Sequence, residues 1–302
     1  MWLTQAQALC EIFIVGWDRW IKIIVRACAA GLFGLFFNVS CLLATPSRVV
    51  SLVPSFTREI CELGALDILV GVTSFRPECA AKKQVVGNLT EINVEQVIAL
   101  EPDLVIASKD SNPKKLVLKL KSLGMNVVVF GDQQDFNGIV DTFLRLGRIL
   151  GRERRARKIV ARVRQEVKTI SLRAQGKKHI RVFWQLGSSP LVTASNRTFI
   201  GNLTRIAGGV NIFGDLQDRY PRVNREEVIM RDPDVIIVVK NMGCSTRDTC
   251  ANEWAHVDGL SAVIGGRIYT LDPDIVCQPT PLRFVKALDV VSRMIQGEAH
   301  GE

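Results

Sequence analysis

The chain has 302 residues, of which 47% are hydrophobic and 23% are charged, and its formal net charge is +9. This length can hold two domains of ordinary size, and the composition is that of a globular protein rather than a disordered one. The positive charge does not indicate a nucleic-acid partner, because the sequence has no recognition motif and no aromatic residues interleaved with the basic ones.

The first 45 residues are predicted to be an export signal or a membrane anchor. Two basic residues, Lys22 and Arg26, precede an apolar stretch that ends at Ala44, which is the arrangement of an export signal. Cleavage after Ala44, lipidation at Cys41 and retention as an uncleaved anchor all remain open, as does the translation start. In each case we expect a periplasmic or otherwise extracytoplasmic protein that contacts the membrane only through this segment or a lipid anchor.

Residues 46–150 predict an N-terminal α/β lobe. The apolar runs predict strands at residues 48–53, 69–72, 104–107 and 127–130, and amphipathic segments predict helices from Pro54, from Asn93, at 113–123 and before Gly151. Because strands and helices alternate, we expect a largely parallel sheet.

Residues 151–177 predict a helix that joins two lobes. Apolar residues from Ile159 to Ile170 recur at helical spacing, and the positions between them are rich in arginine and lysine. This pattern indicates one buried stripe and one solvated basic face. A helix over residues 152–174 would span roughly 33 Å, so we expect a rigid brace rather than a flexible hinge.

Residues 178–302 predict a C-terminal α/β lobe built on the same plan. Strands are expected at residues 180–186, 235–239 and 268–271, and helices at 198–209, from Asn224 and at 281–296. The order of elements again favours a parallel sheet.

An internal repeat is the strongest sign that the two lobes are related. Residues 92–107 (INVEQVIALEPDLVIA) and 223–238 (VNREEVIMRDPDVIIV) align without a gap at an offset of 131, with seven of sixteen positions identical. Each copy predicts an asparagine N-cap, a short helix that ends before a proline, and a buried strand. Two similar lobes form a cleft, where a ligand site is expected.

The repeat also places two carboxylates at equivalent positions, because Glu95 and Glu226 both fall in the first turn of their helices. A carboxylate there complements the helix dipole, which stabilises the helix by about 0.3–1 kcal/mol, and this local role could be the whole explanation. The alternative is a two-point docking surface for a symmetric partner that carries basic residues.

If the chain is exported, its cysteines can form disulfides. Cys244 and Cys250 are predicted to form a disulfide, because they close a short loop after an apolar strand. The pairing of Cys61, Cys79 and Cys277 stays open. No metal site is predicted, since the chain has three histidines and none is spaced with these thiols as zinc ligands are.

The sequence does not indicate an enzyme. It contains no phosphate-binding loop, no nucleophile elbow and no set of nucleophile, histidine and carboxylate. The segment Asp272-Pro273-Asp274 has the composition of a turn. An extracytoplasmic α/β enzyme, or a signalling protein with the same cleft, is nevertheless kept as the alternative to a binding protein.

Six segments resemble one protein family in their order and spacing. They are RVVSLVPSFT (48–57), VGV (70–72), VGNLTEINVEQVIALEPDLVIA (86–107), TFIGNLTRIAGGVNIF (198–213), YPRVNREEVIMRDPDVII (220–237) and GGRIY (265–269). Over residues 46–300 the chain resembles the solute-binding proteins of ABC importers for cobalamin, ferric siderophores and haem.

The resemblance implies an α/β fold of two similar α/β lobes, joined by a long rigid interlobe helix, with the ligand cleft between the lobes. It implies a binding protein without a cofactor, which captures a small-molecule metal chelate and contacts the permease subunits of an ABC importer. In this family, glutamates at the positions of Glu95 and Glu226 pair with arginines of the membrane-spanning subunits. We also expect a monomer.

The resemblance further implies ten ligand-binding residues on cleft-facing loops. They are Pro54, Ser55, Arg58, Phe75, Arg76, Leu89, Lys109, Trp184, Tyr220 and Arg283. Aromatic faces suit a large flat chelate. A role in core packing is the alternative for each, most of all for Trp184, because it lies within a strand pattern.

Two positions depart from the family pattern and bear on the ligand. Arg58 stands where the family usually has an acid, which favours an anionic ligand. Phe75 stands near the place where haem binders commonly have tyrosine or histidine, and phenylalanine cannot ligate iron. The haem interpretation is therefore weakened, whereas a corrinoid and a ferric siderophore both remain candidates.

Overall fold

The computed structural model describes residues 45–131, 133–174, 179–240 and 253–298. Thr45–Glu302 forms one compact unit. Among the described residues, no helix is both long and apolar enough to cross a membrane. The disulfide predicted between Cys244 and Cys250 lies outside these residues.

The first half of the body contains a five-stranded sheet. Its strands are β1 (Val49–Ser51), β2 (Leu69–Val72), β3 (Gln84–Val85), β4 (Leu104–Ser108) and β5 (Val127–Phe130). They lie in the order β3-β2-β1-β4-β5, and all neighbours are parallel. The helices of this half are α1 (Pro54–Glu62), α2 (Val94–Ala99), α3 (Lys114–Ser122) and α4 (Phe136–Ile149).

The long connecting helix α5 spans Glu153–Ala174, as the sequence predicts. Its buried stripe includes Ala156, Val160, Val163 and Val167, whose spacing of three and four residues places them on one face. This stripe packs against α4 and against the last helix of the chain. The helix is therefore fixed to the body along its length.

The second half contains a four-stranded sheet of the same kind. Its strands are β6 (Ile180–Gln185), β9 (Gly209–Asn211), β10 (Val235–Val239) and β11 (Ile268–Leu271). They lie in the order β11-β10-β6-β9, again all parallel, and β7 (Gly187–Ser188) and β8 (Leu191–Val192) form a small hairpin. The helices are α6 (Phe199–Ile206), α7 (Arg225–Arg231), α8 (Ser261–Ile264), α9 (Pro273–Val276) and α10 (Pro281–Gln296).

The two copies of the repeat begin with the same hydrogen bond. The side chain of Asn93 accepts from the N–H of Gln96 at 3.1 Å, and that of Asn224 accepts from the N–H of Glu227 at 2.7 Å. Each asparagine thus satisfies one of the N–H groups that a helix start leaves without a partner. Both N-caps are as the sequence predicts.

A matched aspartate ties each repeat copy to the first strand of its sheet. The carboxylate of Asp103 accepts from the N–H of Ser47 at 2.6 Å, and that of Asp234 accepts from the N–H of Arg181 at 2.8 Å. These contacts explain why the Pro-Asp pair recurs at the offset of 131. They support the predicted fold of two similar α/β halves around a connecting helix.

The main hydrophobic cluster runs through both halves of the body. It contains side chains of both sheets, such as Ile106 and Trp184, together with Val163 of α5 and Leu288 of α10. Two smaller clusters cover the other faces of the two sheets. The described core therefore lies entirely within Thr45–Glu302.

Cys61 and Cys79 form a disulfide. It joins the last turn of α1 to the loop after β2, across 18 residues of sequence. Cys277 forms no disulfide with another cysteine that the structure describes. The structure thus resolves a pairing that the sequence leaves open.

Candidate functional site

A cavity of about 690 Å³ lies between the two halves, and residues of both line it. This volume falls within the range of about 300–1,000 Å³ for small-molecule sites. The first half contributes loops after β1, β2, β4 and β5, and the second contributes loops before β10 and after β11. The cavity therefore lies at the carboxyl ends of parallel strands, which is where open α/β sheets bind ligands.

Aromatic and aliphatic side chains form much of the cavity wall. They are Val53, Pro54, Phe56, Phe75, Leu89, Phe199 and Tyr220. Phe75 is 64% exposed and Tyr220 is 46% exposed. Because both rings stand on loops with open faces, they are available to stack on a flat apolar ligand.

Polar and charged side chains complete the wall. They are Ser55, Ser108, Asp110, Gln133, Arg219, Asp272, Asp274 and Gln278. Arg219 donates to Asp110 at 3.3 Å, and this ion pair joins the loop after β4 to the segment before β10. The two halves are thus connected across the cavity.

A second charged connection centres on Asp274. Its carboxylate accepts from Arg58 at 2.9 Å and from Arg283 at 3.1 Å, and Arg58 also donates to Gln278 at 3.2 Å. The Arg58 side chain is only 12% exposed, and burial and the neighbouring Arg283 lower its pKa. Arg58 therefore links α1 of the first half to the α9 segment of the second half.

Two buried carboxyl groups of α1 lie beside this charged connection. Burial raises the pKa of Glu62 to about 7, although a hydrogen bond from Thr280 and two nearby arginines oppose the shift. Glu59 is fully buried, and its pKa is raised well above its ordinary value by burial and by Glu62. Its Oε1 accepts a hydrogen bond from the side-chain amide of Gln133 at 3.3 Å. Because Gln133 lines the cavity, this bond connects the two carboxyl groups to the cavity wall.

Five of the ten predicted ligand-binding residues line the cavity. They are Pro54, Ser55, Phe75, Leu89 and Tyr220. They come from the first turn of α1 and from three separate loops, and the fold brings them together. Their role in ligand binding stays a prediction.

The prediction for Trp184 needs a correction. The side chain is 0% exposed and packs in the main hydrophobic cluster, and its Nε1 donates to the hydroxyl of Thr204 at 2.9 Å. A tryptophan on β6, which is buried between neighbouring strands, has its polar atom satisfied inside the core. Trp184 is therefore a core residue and does not line the cavity.

The four predicted basic ligand contacts also lie elsewhere. Arg58 and Arg283 turn towards Asp274, Arg76 donates to the carbonyl of Ala81 at 2.9 Å, and Lys109 is outside the cavity wall. The sequence could not show that a carboxylate of the second half would engage two of these arginines. The cavity wall thus contains three aspartates and one arginine, and none of the four basic ligand contacts that the resemblance implies.

Several cavity residues were not predicted. Phe56 and Phe199 belong to amphipathic helix patterns, which predict core residues. Gln133 lies in a short polar linker without a motif. Arg219 precedes the predicted Tyr220, so adjacency to an aromatic loop residue was the one signal that could have identified it. Its ion pair with Asp110 depends on the three-dimensional approach of two distant loops.

The two matched glutamates are exposed in the first turns of α2 and α7. Neither makes an ion pair with another residue that the structure describes. One turn further on, each helix exposes an isoleucine at an equivalent position: Ile98 is 46% exposed and Ile229 is 40% exposed. Each half therefore presents a carboxylate beside an apolar side chain.

Comparisons with known proteins agree with this architecture. The family model for periplasmic binding proteins matches residues 49–275. The vitamin B12-binding proteins of Yersinia pestis (strain Pestoides F) and Yersinia pseudotuberculosis (serotype O:1b, strain IP 31758) are each 34% identical over 193 residues, which cover 63% of this chain and 69% of theirs.

Solved structures show the same fold. The periplasmic vitamin B12-binding protein of Vibrio cholerae has 28% identity and a TM-score of 0.73, with 83% of this chain and 97% of that chain covered. A possible iron-binding periplasmic solute-binding protein of Staphylococcus epidermidis has 27% identity and a TM-score of 0.72, with 83% and 99% covered. The predicted α/β fold and the predicted resemblance are thereby confirmed, and this chain belongs to the periplasmic binding protein family.

Proposed function

We propose that this chain captures a corrinoid outside the cytoplasm and delivers it to the permease of an ABC importer. The observation that carries the proposal is the cavity of about 690 Å³ between two similar halves, with the aromatic rings of Phe75 and Tyr220 in its wall. Relatives that are 34% identical are named as vitamin B12-binding proteins, which favours the corrinoid among metal chelates. Because the family consists of binding proteins, the proposed role is to capture the ligand without catalysing a reaction.

The charges of the cavity wall also favour a corrinoid over a ferric siderophore. Asp110, Asp272 and Asp274 line the cavity, whereas Arg219 is the arginine in its wall. Arg219 is paired with Asp110, and Arg58 and Arg283 are paired with Asp274, so an anionic ferric chelate would have to compete with these carboxylates for the arginines. The amide groups around a corrin ring can instead donate hydrogen bonds to carboxylates, which are stronger than bonds between neutral groups.

Direct binding measurements test the ligand. We expect cyanocobalamin to bind the body Thr45–Glu302 saturably in equilibrium dialysis, with one ligand per chain. Haem and a ferric hydroxamate siderophore, measured in the same way, are expected to bind more weakly. Tighter binding of the ferric siderophore, or no saturation with cyanocobalamin, would refute the corrinoid assignment.

We further propose that Glu95 and Glu226 dock the protein onto basic residues of the permease. Their matched exposure and the neighbouring isoleucines Ile98 and Ile229 support a surface that is repeated once per half. A partner built from two similar subunits could contact both copies in the same way. Carboxylates set the orientation of such a complex, and the isoleucines add apolar area at its centre.

Charge reversal separates docking from ligand capture. The double variant Glu95→Lys and Glu226→Lys is expected to keep its affinity for cyanocobalamin but to lose ligand uptake in cells. The matched control, Asp141→Lys with Asp258→Lys, makes the same change in net charge at two other exposed acids and should retain uptake. Normal uptake with the first variant would eliminate the proposed docking role.

We also propose that the protein acts as a monomer outside the cytoplasm, with residues 1–45 either cleaved as an export signal, lipidated at Cys41 or retained as an anchor. The cavity is lined from both halves of a single chain, so the proposed capture does not require a second copy. Light scattering of the body Thr45–Glu302 should give the mass of one chain. A stable dimer, or recovery of the full chain in the cytosolic fraction of cells, would contradict this proposal.

A further inference from the structure

The outward face of α5 carries an unusual density of positive charge. Eight exposed basic residues lie on this helix: Arg154, Arg155, Arg157, Lys158, Arg162, Arg164, Lys168 and Arg173. Its only acids are Glu153 and Glu166, and both are partly buried. The ligand cavity does not include any of these residues.

Internal pairing neutralises only part of this charge. Glu153 pairs with Arg157 at 2.7 Å, and Glu166 pairs with Arg162 at 3.3 Å. Arg155 donates to the carbonyl of Glu62. In the part of the chain that the structure describes, the remaining five make no ion pair: Arg154, Lys158, Arg164, Lys168 and Arg173. Three of them, Arg154, Lys158 and Lys168, lie within about 80° of one another around the helix, and we call these three residues the basic face.

The geometry of α5 presents the basic face away from the body. Buried residues such as Val160 and Val163 form one side of the helix, and Arg154 and Lys158 lie on the opposite side at 3.6 residues per turn. Leu172 lies 18 residues, or about five turns, after Arg154, so it is on the same outward line. It is 55% exposed, which adds an apolar side chain to the cationic surface.

The start of the described chain lies beside the first turn of α5. The side chain of Thr45 contacts Gly151, since its Cγ2 is 2.6 Å from the place where a Cβ on that glycine would be. The 44 preceding residues, with their apolar stretch up to Ala44, therefore join the body next to this helix. A membrane-held N-terminal segment would keep the basic face close to the lipid surface.

We propose that the basic face of α5 lies on anionic phospholipid headgroups. Clustered lysine and arginine are attracted to an anionic leaflet within about one Debye length, and an exposed leucine among them suits the interface between headgroups and acyl chains. The proposal does not depend on the identity of the transported ligand. It also concerns residues other than Glu95 and Glu226, so membrane contact and permease docking can be separated by mutation.

Vesicle binding of the body Thr45–Glu302 tests the proposal without the apolar N-terminal segment. This body contains both sheets and the three hydrophobic clusters, so it has its own core. We expect it to sediment with vesicles that contain phosphatidylglycerol at low salt, and to be released at high salt because ions screen the attraction. Vesicles of phosphatidylcholine alone should not bind it.

A matched pair of triple variants locates the surface. Arg154→Gln, Lys158→Gln and Lys168→Gln together remove three charges of the basic face, and vesicle affinity should fall by about tenfold or more. The control removes three charges from α3, with Lys115→Gln, Lys119→Gln and Lys121→Gln, and should change affinity by less than about threefold. Circular dichroism of both variants checks that each is folded.

Three results would overturn the proposal. Equal losses in the two triple variants would mean that only net charge matters. Binding to phosphatidylcholine vesicles would show that anionic headgroups are not recognised. Binding to a soluble polyanion such as heparin, without binding to phosphatidylglycerol vesicles, would assign the basic face to another class of partner.

Discussion

At the scale of single residues, burial decides the properties of the carboxyl groups on α1. The pKa of Glu62 is about 7 in the folded protein, and the ordinary value of the group is 4.5. Between these values the folded protein binds more protons than the unfolded chain does. The free energy of unfolding therefore falls as the pH rises through this window.

Replacing Glu62 with glutamine tests this assignment. Because an amide does not ionise and its oxygen can still accept from Thr280, we expect Glu62→Gln to raise the free energy of unfolding above pH 7 by about 1–3 kcal/mol. Below the ordinary pKa of a glutamate the variant and the parent should be similar. Urea denaturation over a pH series measures both effects.

The exposed Glu91→Gln serves as the control for this series, and its stability should follow that of the parent at every pH. Glu62→Gln also removes one of the two causes that raise the pKa of Glu59, so the response of Glu59 adds to the gain in stability above pH 7. If Glu62→Gln were less stable than the parent above pH 7, burial of a charged carboxylate at this site would be the wrong description.

Phe75 and Trp184 are expected to respond in opposite ways to substitution. Phe75 is 64% exposed at the cavity, so Phe75→Ala should weaken cyanocobalamin binding by about tenfold through lost stacking, with little change in stability. Trp184 is fully buried, so Trp184→Phe should lower the free energy of unfolding by about 1–3 kcal/mol and leave affinity unchanged. Equilibrium dialysis of both variants measures the affinity for cyanocobalamin, and urea denaturation measures the free energy of unfolding. A Trp184→Phe protein that is stable but binds poorly would reverse our correction.

The sequence predicted the site only as far as local chemistry reaches. Pro54, Ser55, Phe75 and Tyr220, which the family resemblance predicts as ligand contacts, line the cavity from the start of α1 and from two loops. Arg58 does not, because its partner Asp274 is 216 residues away in sequence. Pairings over such distances depend on how the two halves approach one another, and no local pattern specifies that approach.

At the scale of elements, the N-caps hold the two exposed glutamates in place. Asn93 and Asn224 each satisfy one N–H group of the first turn that carries Glu95 or Glu226. We expect Asn93→Ala and Asn224→Ala each to lower the free energy of unfolding by about 0.5–2 kcal/mol. Urea denaturation checks this, and Asn93→Ser, which can still cap the helix, should recover most of the loss. Equal stability of the alanine and serine variants would show that capping is not what the asparagine contributes.

Elements with a strong period were predictable, and short edge elements were not. The strands β4, β5, β10 and β11 and the helices α5 and α10 lie close to their predicted bounds. The predicted helix at residues 198–209 ends instead at Ile206, and Gly209 begins β9. A three-residue strand has too few residues to show an alternating pattern, so the sequence pattern did not predict β9.

At the scale of the whole molecule, the long helix α5 and one shared hydrophobic cluster join the two halves, and ion pairs connect them around the cavity. The long helix α5 is packed along its length, whereas Arg219 to Asp110 and Arg58 to Asp274 connect the halves around the cavity. We therefore expect ligand binding to order the loops around the cavity without a large rotation of one half against the other. The internal repeat predicted this two-part plan, and the comparisons confirm the fold.

Hydrogen exchange with and without cyanocobalamin tests most directly the claim that the ligand is held between the two halves. The account predicts slower exchange in the cavity segments of both halves, at residues 53–56 and 108–111 on one side and 219–220 and 272–279 on the other. The outward face of α5 should exchange at the same rate in both states. Slower exchange confined to one half, or located away from the cavity, would contradict the account.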